Sequence, residues 1–200
     1  MRLFFHKGFL TIAMLFVGIT YTGAYFSDSV SVSGNTFSTG IWNPGRVVIN
    51  EVLYDPSGTE PNDEWVELYN AGGMSVDLSG YVLADNTGSL TLTSLILGPG
   101  QYAVYARDGA SFTAKYGFAP NFSGSSIALG NSGDYITLRD SSSVLLDAVA
   151  WNTASFAGVI PHYDVAQDHV LARYPDGVDT DDCSIDFIDS INQTPGGPNV

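Results

Sequence analysis

The amino-acid sequence predicts an all-β protein, a sandwich of about nine short antiparallel strands, from three observations. Segments of about four to eight residues with alternating apolar and polar side chains recur along the chain. Glycine, proline, asparagine and aspartate, the usual turn-forming residues, separate these segments. No stretch of the sequence sustains a helical period.

The alternation places each strand in order along the chain. The predicted strands are residues 46–55, 64–70, 81–86, 89–97, 101–107, 125–130, 134–140, 144–151 and 169–175. Gly130 to Asp134, between two of these segments, predicts a hairpin turn. Residues 108–117 predict one short helical turn, because Phe112 and Tyr116 lie four residues apart. Many short strands around one core favour an immunoglobulin-like sandwich.

Charge and cysteine content exclude several classes of protein. The chain has 21 acidic residues against 7 lysines and arginines, a net charge of −14. Such a surface repels phosphate groups, and this repulsion argues against nucleic-acid binding. Cys183 is the only cysteine, which rules out an intramolecular disulfide and a disulfide-stapled scaffold.

The N-terminal residues have the pattern of a secretory signal peptide, predicted at residues 1–24. Arg2 and Lys7 form a basic tip, and an apolar run over residues 8–19 follows. This run is shorter than the roughly 20 residues that span a bilayer as a helix. Small residues precede a predicted cleavage after Ala24. An uncleaved signal segment is the alternative, and membrane contact is predicted only through it.

Two domain boundaries follow from the composition beyond the signal. Residues 25–45 are rich in serine and glycine and predict a flexible tether. Residues 46–200 then form the β-sandwich domain, with an acidic C-terminal segment.

The leader carries a first resemblance to known families. Its stretch AYFSDSVSVSGNTFSTGIW, residues 24–42, resembles the signal-peptide cleavage region of biofilm-fibre and camelysin proteins. The resemblance implies export to the cell surface or secretion. It does not imply a protease, because no HExxH zinc-binding motif follows.

A second resemblance covers residues 46–199. The motifs VVINEVLYD, DEWVELYN, VDLSGYVLAD, LGPGQYAVYA, LGNSGDYITLRD and TPGGPN occur in the order found in prokaryotic lamin tail domains. This resemblance implies an immunoglobulin-like β-sandwich and a non-enzymatic interaction module. Nuclear members of that family bind DNA, chromatin or proteins, and the acidity of this chain argues against the DNA role.

The acids around Trp65 are the first candidates for chemistry. Strand alternation places Glu64 and Glu67 on opposite faces of a sheet. A glycosidase pair needs both carboxyl groups in one cleft, about 5 to 9.5 Å apart, so this spacing argues against one. Glu51, on the preceding strand, is placed to approach one of them. We expect these acids to form an exposed row or to accept hydrogen bonds, and we predict no catalytic residue.

An acidic loop near the C-terminus is the second candidate. Asp176, Asp179 and Asp181 surround Gly177, and calcium prefers oxygen ligands from such loops. The order differs from that of an EF-hand, and a solvated acidic loop is the alternative. Calcium at these three aspartates is the only cofactor hypothesis.

The remaining reactive residues form no recognisable site in the sequence. His162 and His169 stand seven apart without further zinc ligands, and Cys183 in an acidic run is predicted to be buried and inert. Asn121 and Asn192 begin N-x-[ST] sequons and are candidate glycosylation sites.

The sequence therefore predicts an exported, non-enzymatic interaction or structural module that binds a protein or a cell-surface polymer. A self-assembling filament or matrix subunit, formed by strand addition, is one alternative. A carbohydrate-binding accessory domain of a secreted hydrolase system is another, based on aromatic residues at strand positions, some of them expected to face outward. Those aromatic residues are Tyr54, Trp65, Tyr69, Tyr81, Tyr102, Tyr105 and Trp151.

Overall fold

The computed structural model describes residues 30–32, 35–37 and 45–200. The predicted signal peptide lies outside these residues. Within the predicted tether, β1 (Val30–Val32) and β2 (Asn35–Phe37) pair in antiparallel fashion. Among the described residues, the structure contains no helix with the length and hydropathy needed to cross a bilayer.

A six-stranded sheet forms the centre of the domain. Its strands are β3 (Val47–Leu53), β4 (Trp65–Asn70), β9 (Tyr102–Ala106), β10 (Phe122–Ser123), β13 (Val170–Arg173) and β14 (Phe187–Ser190). Their spatial order is β10-β9-β4-β3-β13-β14, so that β4 and β3 lie at the centre. Neighbouring strands are antiparallel except β9 and β10, which run parallel.

A second sheet of four antiparallel strands contributes the other side of the core. Its strands are β6 (Val82–Ala84), β7 (Ser89–Thr91), β11 (Gly133–Arg139) and β12 (Leu145–Asn152), in the spatial order β12-β11-β6-β7. A small antiparallel pair, β5 (Val76–Asp77) and β8 (Ile96–Leu97), completes the strands.

The main hydrophobic core is shared by the two larger sheets. Ile49 and Val66 of the six-stranded sheet belong to the same buried cluster as Ile136 of the four-stranded sheet. Tyr54 stacks on Trp151 within this cluster, with 4.8 Å between ring centroids. Residues from both sheets bury their apolar surface together, which confirms the predicted all-β, immunoglobulin-like sandwich.

The opposite face of the six-stranded sheet, here called the outer face, has its own apolar layer. It carries Leu53, Trp65 and Val104, which pack with Phe112 of helix α1 (Gly109–Tyr116). The Asp108 carboxylate caps the helix by accepting two backbone hydrogen bonds from its first turn. The predicted helical turn is thus confirmed and is longer than expected.

Some predicted strands have different boundaries in the structure. The prediction for residues 125–130 is wrong, because no strand forms there, and no hairpin forms at Gly130 to Asp134. The hairpin turn lies instead at residues 140–144, between β11 and β12. Residues 89–97 divide into β7 and β8. The sequence patterns did not predict β5, β10, β14 or the short helix α2 (Cys183–Asp186).

Candidate functional site

Two buried glutamates lie side by side on the two central strands of the six-stranded sheet. A bulge at Asn50 shifts the register of β3, so that Glu51 pairs directly with Glu67 of β4. Neither residue is exposed to solvent. Alternation along the strands places them on the outer face, in phase with Leu53 and Trp65.

The C-terminal segment, residues 193–199, is bound by these two carboxyl groups. Glu51 Oε1 accepts a hydrogen bond from the Thr194 N–H at 3.0 Å. Glu67 Oε2 accepts one from the Gly196 N–H at 2.6 Å, and its Oε1 accepts one from Asn50 Nδ2 at 3.1 Å. Residues 193–199 form no strand of their own, so these side chains satisfy backbone donors that a strand would otherwise pair.

Asn199 anchors the far end of the same segment. Its Nδ2 donates to the carbonyl oxygens of Asn50 at 3.1 Å and Arg173 at 2.9 Å. Its backbone N–H donates to Asp176 Oδ1 at 3.2 Å, and Asp176 Oδ2 accepts from the Tyr102 hydroxyl at 2.5 Å. The segment is therefore held to the sheet at Thr194, Gly196 and Asn199.

Burial changes the acidity of the glutamate pair. Desolvation raises the pKa of Glu51 from 4.5 to about 7 and that of Glu67 to about 8. The negative charges of Glu51 and Asp176 contribute to the shift at Glu67, and that of Asp176 contributes at Glu51. Because the two carboxyl groups interact, they titrate as a pair.

A second set of buried acids holds residues 127–130, where a strand was predicted. These residues form no strand, and charged side chains take the place of a neighbouring strand. The backbone N–H groups of Ala128, Leu129 and Gly130 donate to Asp85, Glu64 and Asp134 at 2.7, 2.9 and 3.0 Å, respectively. Arg107 donates to the carbonyl oxygen of Ile127. Burial raises the pKa of Glu64 to about 8.

Arg173 forms the third polar cluster, between the two sheets. Its side chain is 1% exposed and donates to Asp147 Oδ2 at 2.9 Å and to Asp186 Oδ2 at 3.3 Å. Its Nε donates to the Ile49 carbonyl oxygen at 2.9 Å. Asp147 in turn accepts from the Ile49 N–H at 2.7 Å, so the cluster bridges β3, β12, β13 and α2.

The expectation of an exposed acidic row is therefore wrong for Glu51, Glu64 and Glu67, which are all buried. The expectation that they accept backbone hydrogen bonds is confirmed. The predicted separation of Glu64 and Glu67 is also confirmed. Glu64 binds Leu129 of the main core, whereas Glu67 lies on the outer face.

The three predicted calcium ligands have separate partners in the structure. Asp176 binds Tyr102 and Asn199, whereas Asp179 Oδ1 accepts from Arg173 at 3.3 Å and from the Asp181 N–H at 3.3 Å. Within residues 45–200, no group of three or more acidic, histidine or cysteine side chains is arranged to hold a metal ion. Calcium binding at these aspartates stays a prediction.

Cys183 is buried as predicted, and burial raises the pKa of its thiol to about 12. His162 and His169 have separate partners. The ring of His162 contacts the Tyr163 carbonyl oxygen at 2.7 Å, and the ring of His169 contacts Asp189 at 2.6 Å. These contacts account for both histidines without a shared site.

The sequon asparagines and the strand aromatics also have defined positions. Asn121 and Asn192 are exposed, and Asn121 Oδ1 accepts from the Val104 N–H at 2.8 Å. All seven strand aromatics are described, and none is fully exposed. Four are fully buried and three are half-buried: Tyr54, Trp65, Tyr105 and Trp151, then Tyr69, Tyr81 and Tyr102.

Comparison with known proteins agrees with this architecture. Residues 42–153 match the lamin tail domain family. The chain belongs to the lamin tail domain family. Lamin tail domains are immunoglobulin-like domains that mediate protein interactions. The match covers β3 to β12, whereas β13, α2, β14 and the C-terminal segment lie beyond it, although β13 pairs with β3. No curated protein matches this chain.

The residues that hold the C-terminal segment were mostly missed by sequence reasoning. The motif TPGGPN contains Thr194, Gly196 and Asn199, but its spacing alone gives no partner. One usable signal was that Glu51 and Glu67 lie in predicted strands that are rich in apolar residues. A buried acid requires a hydrogen-bond donor, and an irregular glycine-rich segment supplies free backbone N–H groups.

Proposed function

We propose that this lamin tail domain protein is an exported, non-enzymatic interaction module that acts at the cell surface or in the extracellular matrix. The family supports protein interaction as its function. The basic and apolar leader, with its resemblance to biofilm-fibre signal peptides, supports export.

The internal use of the buried acids supports a non-enzymatic role. A general acid or base must reach the proton of a bound substrate within hydrogen-bond distance. Glu51, Glu64 and Glu67 instead each accept a hydrogen bond from a backbone N–H of this chain. Burial raises their pKa values, and the hydrogen bonds that these carboxyl groups accept stabilise the fold.

The observation that carries the proposed interaction is the exposed apolar surface around β14. Tyr174, Ile185 and Ile191 are 54%, 67% and 71% exposed. Among the described strands, β14 pairs only with β13 and ends the six-stranded sheet. Monomeric proteins rarely expose apolar side chains in contiguous groups without a binding role.

The chemistry of this edge indicates the kind of partner. An edge strand accepts an extended segment through backbone hydrogen bonds, and pockets for alternate side chains give specificity. Asp181 and Asp189 are exposed near the isoleucines. The partner that fits is therefore an extended protein segment with apolar and basic side chains.

Site-specific photo-crosslinking tests this proposal in the producing cells. A photoreactive side chain at Ile188, on β14, is expected to give a discrete adduct with a second protein. The same group at Met74, an exposed apolar residue between Gly73 and Ser75, is the matched control and should not. An adduct of twice the chain mass would support the alternative of a self-assembling subunit. Equal labelling at both positions, or none, would overturn the β14 interface.

Export has an independent test. Intact mass of the protein recovered outside the cell should correspond to cleavage after Ala24. Recovery of the whole chain inside the cell would contradict export without affecting the β14 interface.

A further inference from the structure

The hydrogen bonds around the Thr194 hydroxyl require one more proton than that hydroxyl carries, and a neighbouring side chain must supply it. Asn199 Nδ2 donates to two carbonyl oxygens, so the orientation of its amide is fixed and Asn199 Oδ1 is an acceptor. The Thr194 hydroxyl lies 3.0 Å from that oxygen and 3.0 Å from Glu51 Oε2. One hydroxyl proton cannot serve both acceptors.

A protonated Glu51 resolves this arrangement. Its Oε2–H donates to Thr194 Oγ1, and the Thr194 hydroxyl then donates to Asn199 Oδ1. Glu51 Oε1 remains free to accept from the Thr194 N–H at 3.0 Å. Every polar atom in the chain of hydrogen bonds is satisfied only with this extra proton.

The neighbouring Glu67 has the opposite pattern. Both of its oxygens accept, one from the Gly196 N–H and one from Asn50 Nδ2. The orientation of the Asn50 amide is fixed, because its Oδ1 accepts from the Gly177 N–H at 3.2 Å. The hydrogen bonds of Glu67 need no proton, whereas those of Glu51 do, so the geometry places the proton that closes the network on Glu51.

We infer that this proton is a latch: while Glu51 carries it, the C-terminal segment is closed over the outer face, and its loss releases the segment. With Glu51 ionised, the Thr194 hydroxyl would face two acceptors, Glu51 Oε2 and Asn199 Oδ1, and could donate to only one of them. The latch is a conformational device beyond the proposed function and depends on neither export nor partner.

Charged and titratable groups from each neighbouring element face this site. Glu67 comes from β4 and Tyr102 from β9, Asp176 follows β13, and Tyr116 is in α1. Burial raises the pKa of Glu51 to about 7, and Asp176 adds to the shift. Repulsion among the acids therefore opposes ionisation while the segment is closed.

Other charges lie at the borders of the segment. Arg173, on β13, offers its carbonyl oxygen to Asn199 and directs its guanidinium to Asp147. Before Thr194, Gln193 binds Asp168, which pairs with Lys115 at 3.2 Å. His169, which pairs with Asp189, lines a surface pocket together with Gln193. His169 is the group outside the glutamate pair that needs a control.

Amide hydrogen exchange of the full chain tests the latch directly. The Thr194 and Gly196 amides are followed between pH 5.5 and pH 8.5, after correction for the intrinsic exchange rate, with the Val66 amide of the central strand as reference. With Glu51 alone counted, the closed state binds one more proton than the open state. Protection should therefore fall about tenfold per pH unit until Glu51 ionises in the closed state.

Matched variants separate the latch from general pH effects. Glu51→Gln reproduces the protonated glutamate, because its amide donates to Thr194 Oγ1 and accepts from the Thr194 N–H. We expect this variant to keep the segment protected at pH 8.5. Glu64→Gln removes a different buried glutamate, and His169→Gln removes the histidine, and both should retain the pH dependence of the wild-type chain.

Each outcome decides the inference. Protection of Thr194 and Gly196 that is unchanged between pH 5.5 and pH 8.5 in the wild-type chain would overturn the latch, whether or not the variants fold. A Glu51→Gln chain that folds but keeps the wild-type pH dependence would overturn the assignment to Glu51. Loss of the dependence in His169→Gln would assign the proton to the histidine instead.

Discussion

Replacing Arg173 by methionine should strongly destabilise the fold. The guanidinium is 1% exposed and pairs with Asp147 and Asp186, which are also buried. Methionine keeps much of the apolar stem but leaves both carboxylates without their cation. Removing one partner of a buried ion pair costs about 3–5 kcal/mol. At about 2–4 °C per kcal/mol for a domain of this size, the melting temperature should fall by about 6–20 °C.

The loss should depend on pH in a definite direction. Even beside Arg173, burial raises the pKa of Asp147 from 3.8 to about 6. Without the arginine this pKa rises further. A carboxyl group with a raised folded-state pKa contributes stability below its unfolded pKa and loses it as the pH rises through the folded pKa. The deficit of Arg173→Met should therefore be larger at pH 8 than at pH 5.

Urea denaturation followed by tryptophan fluorescence measures this effect, because Trp65 and Trp151 are fully buried. Arg139→Met is the matched control, since Arg139 binds only the exposed Ser143 carbonyl oxygen at 3.2 Å, and it should cost about 0.5 kcal/mol or less. Adding Asp147→Asn to Arg173→Met should recover part of the loss. A loss below about 1 kcal/mol at pH 8, or one independent of pH, would refute the reasoning.

Three further predictions concern stability. First, burial raises the pKa values of Glu51, Glu64 and Glu67 from 4.5 to about 7 or 8, so the folded chain loses stability as the pH rises from 4.5 through 8. Urea denaturation should therefore show a free energy of unfolding that is larger at pH 5.5 than at pH 8.5 by at least about 1 kcal/mol. Second, Gly177→Ala should cost about 2–4 kcal/mol, because its φ is 73° and the added Cβ would lie 2.6 Å from another side chain. Gly100→Ala, at φ 70° with open space around it, should cost only about 1 kcal/mol, and equal losses in thermal melts would contradict the steric argument. Third, if the aspartates around Gly177 bind calcium, millimolar calcium raises the melting temperature, and a calorimetric scan identical in chelator removes that prediction.

Strand alternation predicted most of the fold because the apolar faces of the sheets dictate it. The central strands β3, β4 and β9 lie within a few residues of their predicted ends. The edge strand β14 was missed because its sequence, FIDS, has no clear alternation. Local patterns indicate a strand that buries one face, whereas an edge strand depends on the neighbour it meets.

Residues 125–130 show why an apolar pattern does not always form a strand. Ile127 and Leu129 are buried as the pattern predicted. Arg107 satisfies the carbonyl oxygen of Ile127, and Glu64 satisfies the N–H of Leu129. Asp85 accepts from the intervening N–H of Ala128, so side chains replace a strand partner. These side chains are distant in sequence, so local periodicity carried no information about them.

The buried glutamates at the candidate site also show that local sequence patterns do not predict contacts between distant residues. Alternation correctly separated Glu64 from Glu67. The predicted approach of Glu51 to one of them is confirmed, at Glu67. The expectation of exposure came from the usual behaviour of glutamate, which is buried only when its hydrogen-bonding needs are met. Here a segment about 130 residues away supplies the donors, a contact that only the folded chain reveals.

The central claim is that the acids around Trp65 are buried acceptors that hold the fold together. The sequence contains four glutamates, so carbon-13 NMR of the side-chain carboxyl groups gives four signals to follow with pH. Glu60 is exposed and serves as the internal reference. We predict that the signals of Glu51, Glu64 and Glu67 titrate above pH 6, near pH 7 to 8. Titration of all three together with Glu60 would contradict the claim.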